Sequence, residues 1–280
     1  MTAVAVYVGL TTFLAVVAVA ATAAFWQRTG HLKENYQGKR IPQSMGIAFL
    51  PVYGVASIWA ARKGLMAGEL LIAAFLLVYG LCILGVLDDL WGDNSSKGFA
   101  GHFRQLLCGR ITTGFLKAVL GFGICLLVVC FLSGFKLLRF WEAALIALSA
   151  NLLNLLDLRP GRALKVFFLL ALLWIWLFPQ EEQILLLFPF LVTALVFLPS
   201  DLRGEAMLGD AGANLLGAMV GLAVVLYGGF WWQFLYFLLL LFIHFLAERI
   251  SLTDYIARHP LLAYFDRLGR REYHTGREQG

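Results

Sequence analysis

Residues 211–247 read AGANLLGAMVGLAVVLYGGFWWQFLYFLLLLFIHFLA, without a single Asp, Glu, Lys or Arg. Crossing a hydrocarbon core takes about 20 helical residues, so this stretch holds two crossings. Tyr227-Gly228-Gly229-Phe230 is the natural break between them. Helix is the required form, because lipid offers backbone polar groups no partner outside their own segment. The stretch shows little alternation of period two, which argues against an outer-membrane barrel.

Comparable uncharged runs lie at 1–26, 41–61, 70–87, 118–135 and 183–200. Two shorter stretches, roughly 140–156 and 164–180, complete the set if their charged ends snorkel to the interface. The expectation is an all-α, polytopic membrane helix bundle of about nine transmembrane helices. Composition points the same way. Of 280 residues, 61% are hydrophobic and 14% charged, against about 25% charged in a soluble domain, too few to wet a surface. Nothing positive precedes 1–26, and Arg28, Lys33, Lys39 and Arg40 follow it. It therefore reads as a retained first span rather than a cleavable signal.

Orientation follows from the basic residues. The loops around 27–44, 88–110, 157–165 and 199–210, with the tail from 249, hold 17 of the 22 Lys and Arg. That set is expected to be cytoplasmic, giving an N-out, C-in chain in the cell's inner (plasma) membrane. The net charge of +5 is this bias and does not indicate nucleic acid. Trp26, Trp91, Trp141, Trp231 and Trp232 fall near span ends, where amphipathic rings prefer to sit. Cys82, Cys108, Cys125 and Cys130 form no close metal-type pair and read as small apolar packers. One transmembrane domain, 1–248, is followed by a basic amphipathic tail, 249–280. The tail combines Tyr255, Ile256, Leu261, Leu262, Tyr264, Phe265 and Leu268 with six arginines. It reads as an interfacial helix on anionic lipid, with a lid over the loops as the other reading.

Chemistry gathers in the loops of the basic set. Asp88-Asp89 ends the third span, where adjacent carboxylates repel unless a cation or a proton relieves them; a solvated helix end is the plainer account. Lys97, His102, Arg104 and Arg110 follow, then Lys117, which either faces a polar cavity or snorkels. Asn151, Asn154 and Asp157 are three apart and share one helix face, and Arg159-Pro160-Gly161-Arg162 breaks the helix there. Guanidinium groups suit bidentate phosphate binding, although a polar network between helices would use the same residues. Asp210 opens the eighth span in Met207-Leu208-Gly209-Asp210-Ala211-Gly212, as a site residue or as an N-cap. Gly217 and Gly221 form a small-xxx-small pair of the kind that packs helices. Four aspartates on one membrane face, with Lys and Arg between them, suit a Mg²⁺-assisted reaction on a diphosphate.

In this order and on this side, the motifs resemble those of the polyprenyl-phosphate N-acetylhexosamine-1-phosphate transferases. That superfamily includes phospho-N-acetylmuramoyl-pentapeptide translocase and the UDP-N-acetylglucosamine:undecaprenyl-phosphate transferases. The likeness runs from about residue 28 to 248. Asp88-Asp89 resembles the paired aspartates, 151–157 the Asn-x-x-Asn-Leu-x-Asp segment, 209–212 the Gly-Asp-x-Gly and 42–46 the Pro-x-x-x-Gly stretch. The resemblance implies transfer of a sugar-1-phosphate from a UDP-sugar to polyprenyl phosphate, with Mg²⁺ as cofactor, for envelope glycan synthesis. It implies Asp210 as metal ligand, Asp88 and Asp89 acting on the lipid phosphate, and Asp157 with Asn154 lining the nucleotide pocket beside Asn151. Lys117, Arg159 and Arg162 are added as substrate-binding residues from charge and position alone.

Departures from the pattern fall on the nucleotide side. Pro160 stands where a second aspartate is usual, Met207 where an aromatic residue often precedes Gly-Asp, and no His-x-His motif is visible. A diverged, non-catalytic protein binding carrier lipid or partners in envelope assembly is therefore the alternative. A transporter fits less well, since its ionisable residues usually lie near mid-bilayer. A homodimer is left open.

Overall fold

The computed structural model describes residues 3–92, 105 and 112–270. Of the residues singled out above, Lys97, His102, Arg104, Cys108 and Arg110, with two of the six tail arginines, Arg271 and Arg277, lie outside the described residues. The described residues form eleven α-helices, one 3₁₀ turn and one short hairpin. The chain begins with α1 (Ala3–Thr29), then a hairpin of β1 (Leu32–Glu34) and β2 (Arg40–Pro42) and a 3₁₀ turn at Met45–Ala48. There follow α2 (Phe49–Arg62), α3 (Gly68–Trp91), α4 (Thr113–Ser133), α5 (Leu138–Leu156), α6 (Arg162–Leu177) and α7 (Glu181–Leu202). The remainder is α8 (Gly209–Tyr227), α9 (Phe230–Arg249), α10 (Leu252–Arg258) and α11 (Pro260–Arg267).

Seven helices are long and apolar enough to cross a membrane: α1, α2 with its 3₁₀ turn, α3, α4, α7, α8 and α9. The stretches expected at roughly 140–156 and 164–180 do form helices, α5 and α6, but stand outside that set. The reason is visible in each. Within its 19 residues α5 carries Arg139, Glu142, Asn151 and Asn154, and α6 has only 16 residues.

The bundle is built around α8, which is buried from Ala211 to Val224. Its many small residues let neighbouring backbones approach closely, the packing that serves where lipid removes the hydrophobic drive between helices. Gly217 lies against Ser149 and Ala150 of α5, and Gly221 against Ile146 one turn away. On the other side Gly85 of α3 abuts the backbone of Ala211. Helices at the periphery turn apolar side chains outward instead, among them Phe13 of α1, Leu127 of α4 and Phe242 of α9.

Gly228-Gly229 separates α8 from α9, as the sequence predicts. Gln233 closes that corner by donating to the carbonyls of Val225 (3.1 Å) and Gly228 (2.9 Å), groups a helix end leaves without partners. At the far end of α5, Gly161 opens α6 at φ 75°, a left-handed conformation that glycine adopts without a Cβ clash. The starts of α4 and α8 therefore meet the ends of α1, α3, α5 and α7 at one end of the bundle.

Candidate functional site

The site is organised by the first turn of α8. A helix start leaves its amides without partners, and α8 has no capping side chain of its own. Two carboxylates from other helices supply the caps. Asp157, at the end of α5, accepts from Gly209 N at 3.0 Å. Asp89, near the end of α3, accepts from Asp210 N at 3.1 Å and Ala211 N at 3.3 Å. Both carboxyl groups sit at the positive end of the helix dipole. Gly209 is at φ 70°, and a Cβ there would lie 2.6 Å from Asp89 Oδ2, so glycine serves conformation and space together.

Asp89 also receives Gln43 Nε2 and Ser44 Oγ, each at 2.7 Å. With four donors its carboxylate is saturated. Ser44 is the one non-glycine residue at positive φ among the described residues, at 60°. It is held there by three contacts. Trp26 Nε1 donates to its carbonyl (3.3 Å), its hydroxyl donates to Asp89, and His31 Nε2 lies 3.2 Å from that hydroxyl. Because the hydroxyl proton is committed to Asp89, the ring nitrogen is the donor in the last pair. Burial lowers the His31 pKa, which the charge of Asp89 only partly offsets, and a neutral Nε2–H ring fits this chain of bonds. The segment is tied down further where Met207 N donates to Pro42 O (2.8 Å) and Met45 N to Met207 O (3.2 Å).

Beside this capped start lies an ion cluster. Lys117 Nζ of α4 is 2.8 Å from Asp88 Oδ2 of α3 and also contacts Asp210 Oδ2 of α8. Each side chain keeps about a quarter of its surface exposed. One ammonium thus relieves two carboxylates that would otherwise repel. Lys117 turns to these two carboxylates.

Asn151 and Asn154 are half-buried on the α5 face that ends at Asp157, and neither amide makes a hydrogen bond among the described residues. Burial, then the charges of Asp201 and Asp210, hold the Asp157 pKa well above the usual carboxylate range, against the Gly209 hydrogen bond that lowers it. Asp201 accepts from Gly161 N at 2.9 Å and fixes the start of α6. Arg159 stands over the Tyr36 ring, 4.8 Å from its centre, while Asn35 donates to Gly204 O at 3.1 Å. The hairpin therefore covers one side of the site.

Arg162 turns elsewhere. It is buried, pairs bidentately with Asp266 of α11 (2.7 and 3.1 Å) and donates to Thr253 (3.1 Å). Arg270 adds an ion pair to Asp266 at 3.1 Å and donates to Pro160 O at 3.2 Å. Lys165 Nζ binds the carbonyls of Phe265 (2.7 Å) and Asp266 (2.6 Å), capping the end of α11. Despite burial, which acts the other way, these arginines hold the Asp266 pKa below its usual value.

Asp88, Asp89, Asp157 and Asp210 are thus linked through one helix turn, with Lys117 in contact and Arg162 outside. Among the described residues no three His, Cys, Asp or Glu side chains cluster closely enough to cage a metal ion. Mg²⁺, however, typically takes one or two carboxylates and completes its shell with phosphate and water. The two carboxylates that share the Lys117 ammonium match that donor set. Gln43 and Ser44 were signalled only by the Pro42–Gly46 spacing, and nothing local marks Asp201. The chain matches no protein-family model, and no curated protein matches it.

Proposed function

We propose that the protein transfers a sugar-1-phosphate from a UDP-sugar to a polyprenyl-phosphate carrier, at the cytoplasmic face of the plasma membrane, for envelope glycan synthesis. In this reading the chain crosses nine times, N-out and C-in, with α5 and α6 as the two short spans. The observation that carries the proposal is the meeting of Asp88, Asp210 and Lys117 beside a helix start capped by Asp89 and Asp157.

An oxygen of the lipid phosphate attacks the β-phosphorus of the UDP-sugar. A new P–O bond forms, the bond from that phosphorus to the α–β bridging oxygen breaks, and UMP leaves. Asp210 with Asp88 would hold Mg²⁺, which when bound supplies positive charge to the diphosphate oxygens. Asp88 orients the lipid phosphate and takes its proton. Lys117 offsets the negative charge that grows on the phosphates. Asp89, its carboxylate saturated by four donors, acts as a positioning residue for residues 42–46 and α8. The free amides of Asn151 and Asn154, with Asp157, line the nucleotide side, and Arg159 stands at its rim.

The test is Mg²⁺-dependent UMP release from UDP-N-acetylhexosamines with polyprenyl phosphate, using the purified chain. One observation favours a second reading, a non-catalytic protein that binds the carrier: Lys117 already fills the place between Asp88 and Asp210. No UMP release with any donor, while polyprenyl phosphate still binds, would establish that reading and end the first.

A further inference from the structure

The tail holds a second place suited to phosphate, separate from the aspartate cluster. The short helices α10 and α11 meet at His259-Pro260, and between them lies an open cleft of about 480 Å³. Ala257, Pro260, Ala263, Tyr264 and Leu268 line it, with Arg258 and Arg267. Both guanidinium groups are exposed, and neither makes a hydrogen bond or ion pair among the described residues. Two unpaired arginines above an apolar floor match a group carrying a phosphate at one end and hydrocarbon at the other.

The flank of the cleft says where that group comes from. Leu261, Tyr264, Phe265 and Leu268 are 76%, 62%, 60% and 50% exposed. At 3.6 residues per turn they share one side of the α11 region, centred away from Asp266. Asp266 is the anchor, held by buried Arg162, so α11 is fixed to the bundle by one side and bare on the other. Only Ile250 and Ser251 separate α10 from α9, a helix apolar enough to cross a membrane. The apolar side begins at Leu261, one short helix beyond the end of α9, and so lies near the lipid that surrounds α9.

We propose that the cleft between α10 and α11 binds the headgroup phosphate of an anionic glycerophospholipid through Arg258 and Arg267, with Leu261, Tyr264, Phe265 and Leu268 seated among the acyl chains. A basic, apolar-faced helix of this kind docks by burial and charge together. This site is independent of the transfer reaction proposed above.

The test uses the full chain with Leu261→Cys, its native Cys82, Cys108, Cys125 and Cys130 changed to alanine, labelled with an environment-sensitive fluorophore. It is placed in nanodiscs of phosphatidylcholine alone, or of phosphatidylcholine with phosphatidylglycerol. The expected result is a blue shift that requires phosphatidylglycerol and shrinks at high salt. Arg258→Gln with Arg267→Gln should lower the docked-to-undocked ratio about 25-fold, at about fivefold per basic residue near an anionic surface. Arg258→Lys with Arg267→Lys should retain most of it, and unchanged elution on size exclusion should show that each variant is folded. An equal shift in both nanodiscs, untouched by the glutamine variants, would mean apolar insertion alone and overturn the proposal. A shift produced in phosphatidylcholine nanodiscs by added inorganic phosphate would overturn lipid as the source. No shift in any condition would overturn the site.

Discussion

Gly46 and Gly212 are in direct main-chain contact: a Cβ added at 46 would overlap the amide and Cα of 212. The 3₁₀ turn before α2 is thereby pressed onto the first turn of α8, which keeps Ser44 and Gln43 within reach of Asp89. Gly46→Ala should force these backbones apart. Overpacking typically costs about 1–3 kcal/mol, and here no flexible side chain is available to give way. The expected outcome is a lower melting temperature in detergent, together with faster hydrogen exchange at the amides of 209–211. Normal exchange there would show that the two turns are not coupled.

Lys117 is the shared partner of Asp88 and Asp210. Lys117→Met leaves two carboxylates facing each other, and losing hydrogen bonds to charged groups costs about 1.5–3 kcal/mol, less where solvent screens them. The melting temperature should fall without Mg²⁺, and added Mg²⁺ should raise it further in Lys117→Met than in the unaltered chain. Asp210→Asn should abolish that Mg²⁺ response. A response equal in all three would remove Asp88 and Asp210 as the cation site.

Asp157 makes a pH prediction. Its folded pKa lies above the unfolded one, chiefly from burial and then from Asp201 and Asp210. Folding therefore favours the protonated form, and stability should fall as pH rises from the usual carboxylate value through the raised one. Asp157→Asn keeps an oxygen to accept from Gly209 N and should flatten that part of the curve. Melting temperature against pH measures this, and an unaltered slope in the variant would exclude Asp157 as its origin.

The Arg162–Asp266 pair anchors the tail. Breaking one side of a buried pair costs about 3–5 kcal/mol because the remaining charge is left unpaired. Asp266→Ala should release α10 and α11, seen as rapid tryptic cleavage after Arg258 and Arg267. Arg162→Met with Asp266→Leu should be less destabilised than Asp266→Ala, since Arg162 is then not left as a buried unpaired charge and Arg270 keeps the Pro160 carbonyl as a partner in both. Equal protection of the tail in Asp266→Ala and the unaltered chain would show that other contacts hold it.

The runs without charge were legible as helices because hydropathy is a property of each segment alone. The 228–229 break and the 161 turn were legible because glycine and proline act on their own backbone. Asp88, Asp89, Asp157 and Asp210 stood out as costly groups at span ends, yet what each binds could not be read locally. Asp89 finds Ser44 and Gln43 some 45 positions away, and Arg162 finds Asp266 across 104. Such partners are chosen by packing, and a single sequence does not display it. The alternatives drawn for Asp210 show the same limit. The first turn of α8 is indeed capped, but by Asp89 and Asp157 rather than by its own Asp210.

Those borrowed caps have a consequence for how the protein is made. Asp89 and Asp157 both precede Gly209 in the chain, so a ribosome synthesises the acceptors before the helix that needs them. When α8 emerges, the carboxyl groups that cap its first amides and the backbones its glycines touch have therefore already been made. Of the helices that contribute to the aspartate cluster, α8 is the last to be synthesised, and the cluster is complete only once it has joined α3, α4 and α5.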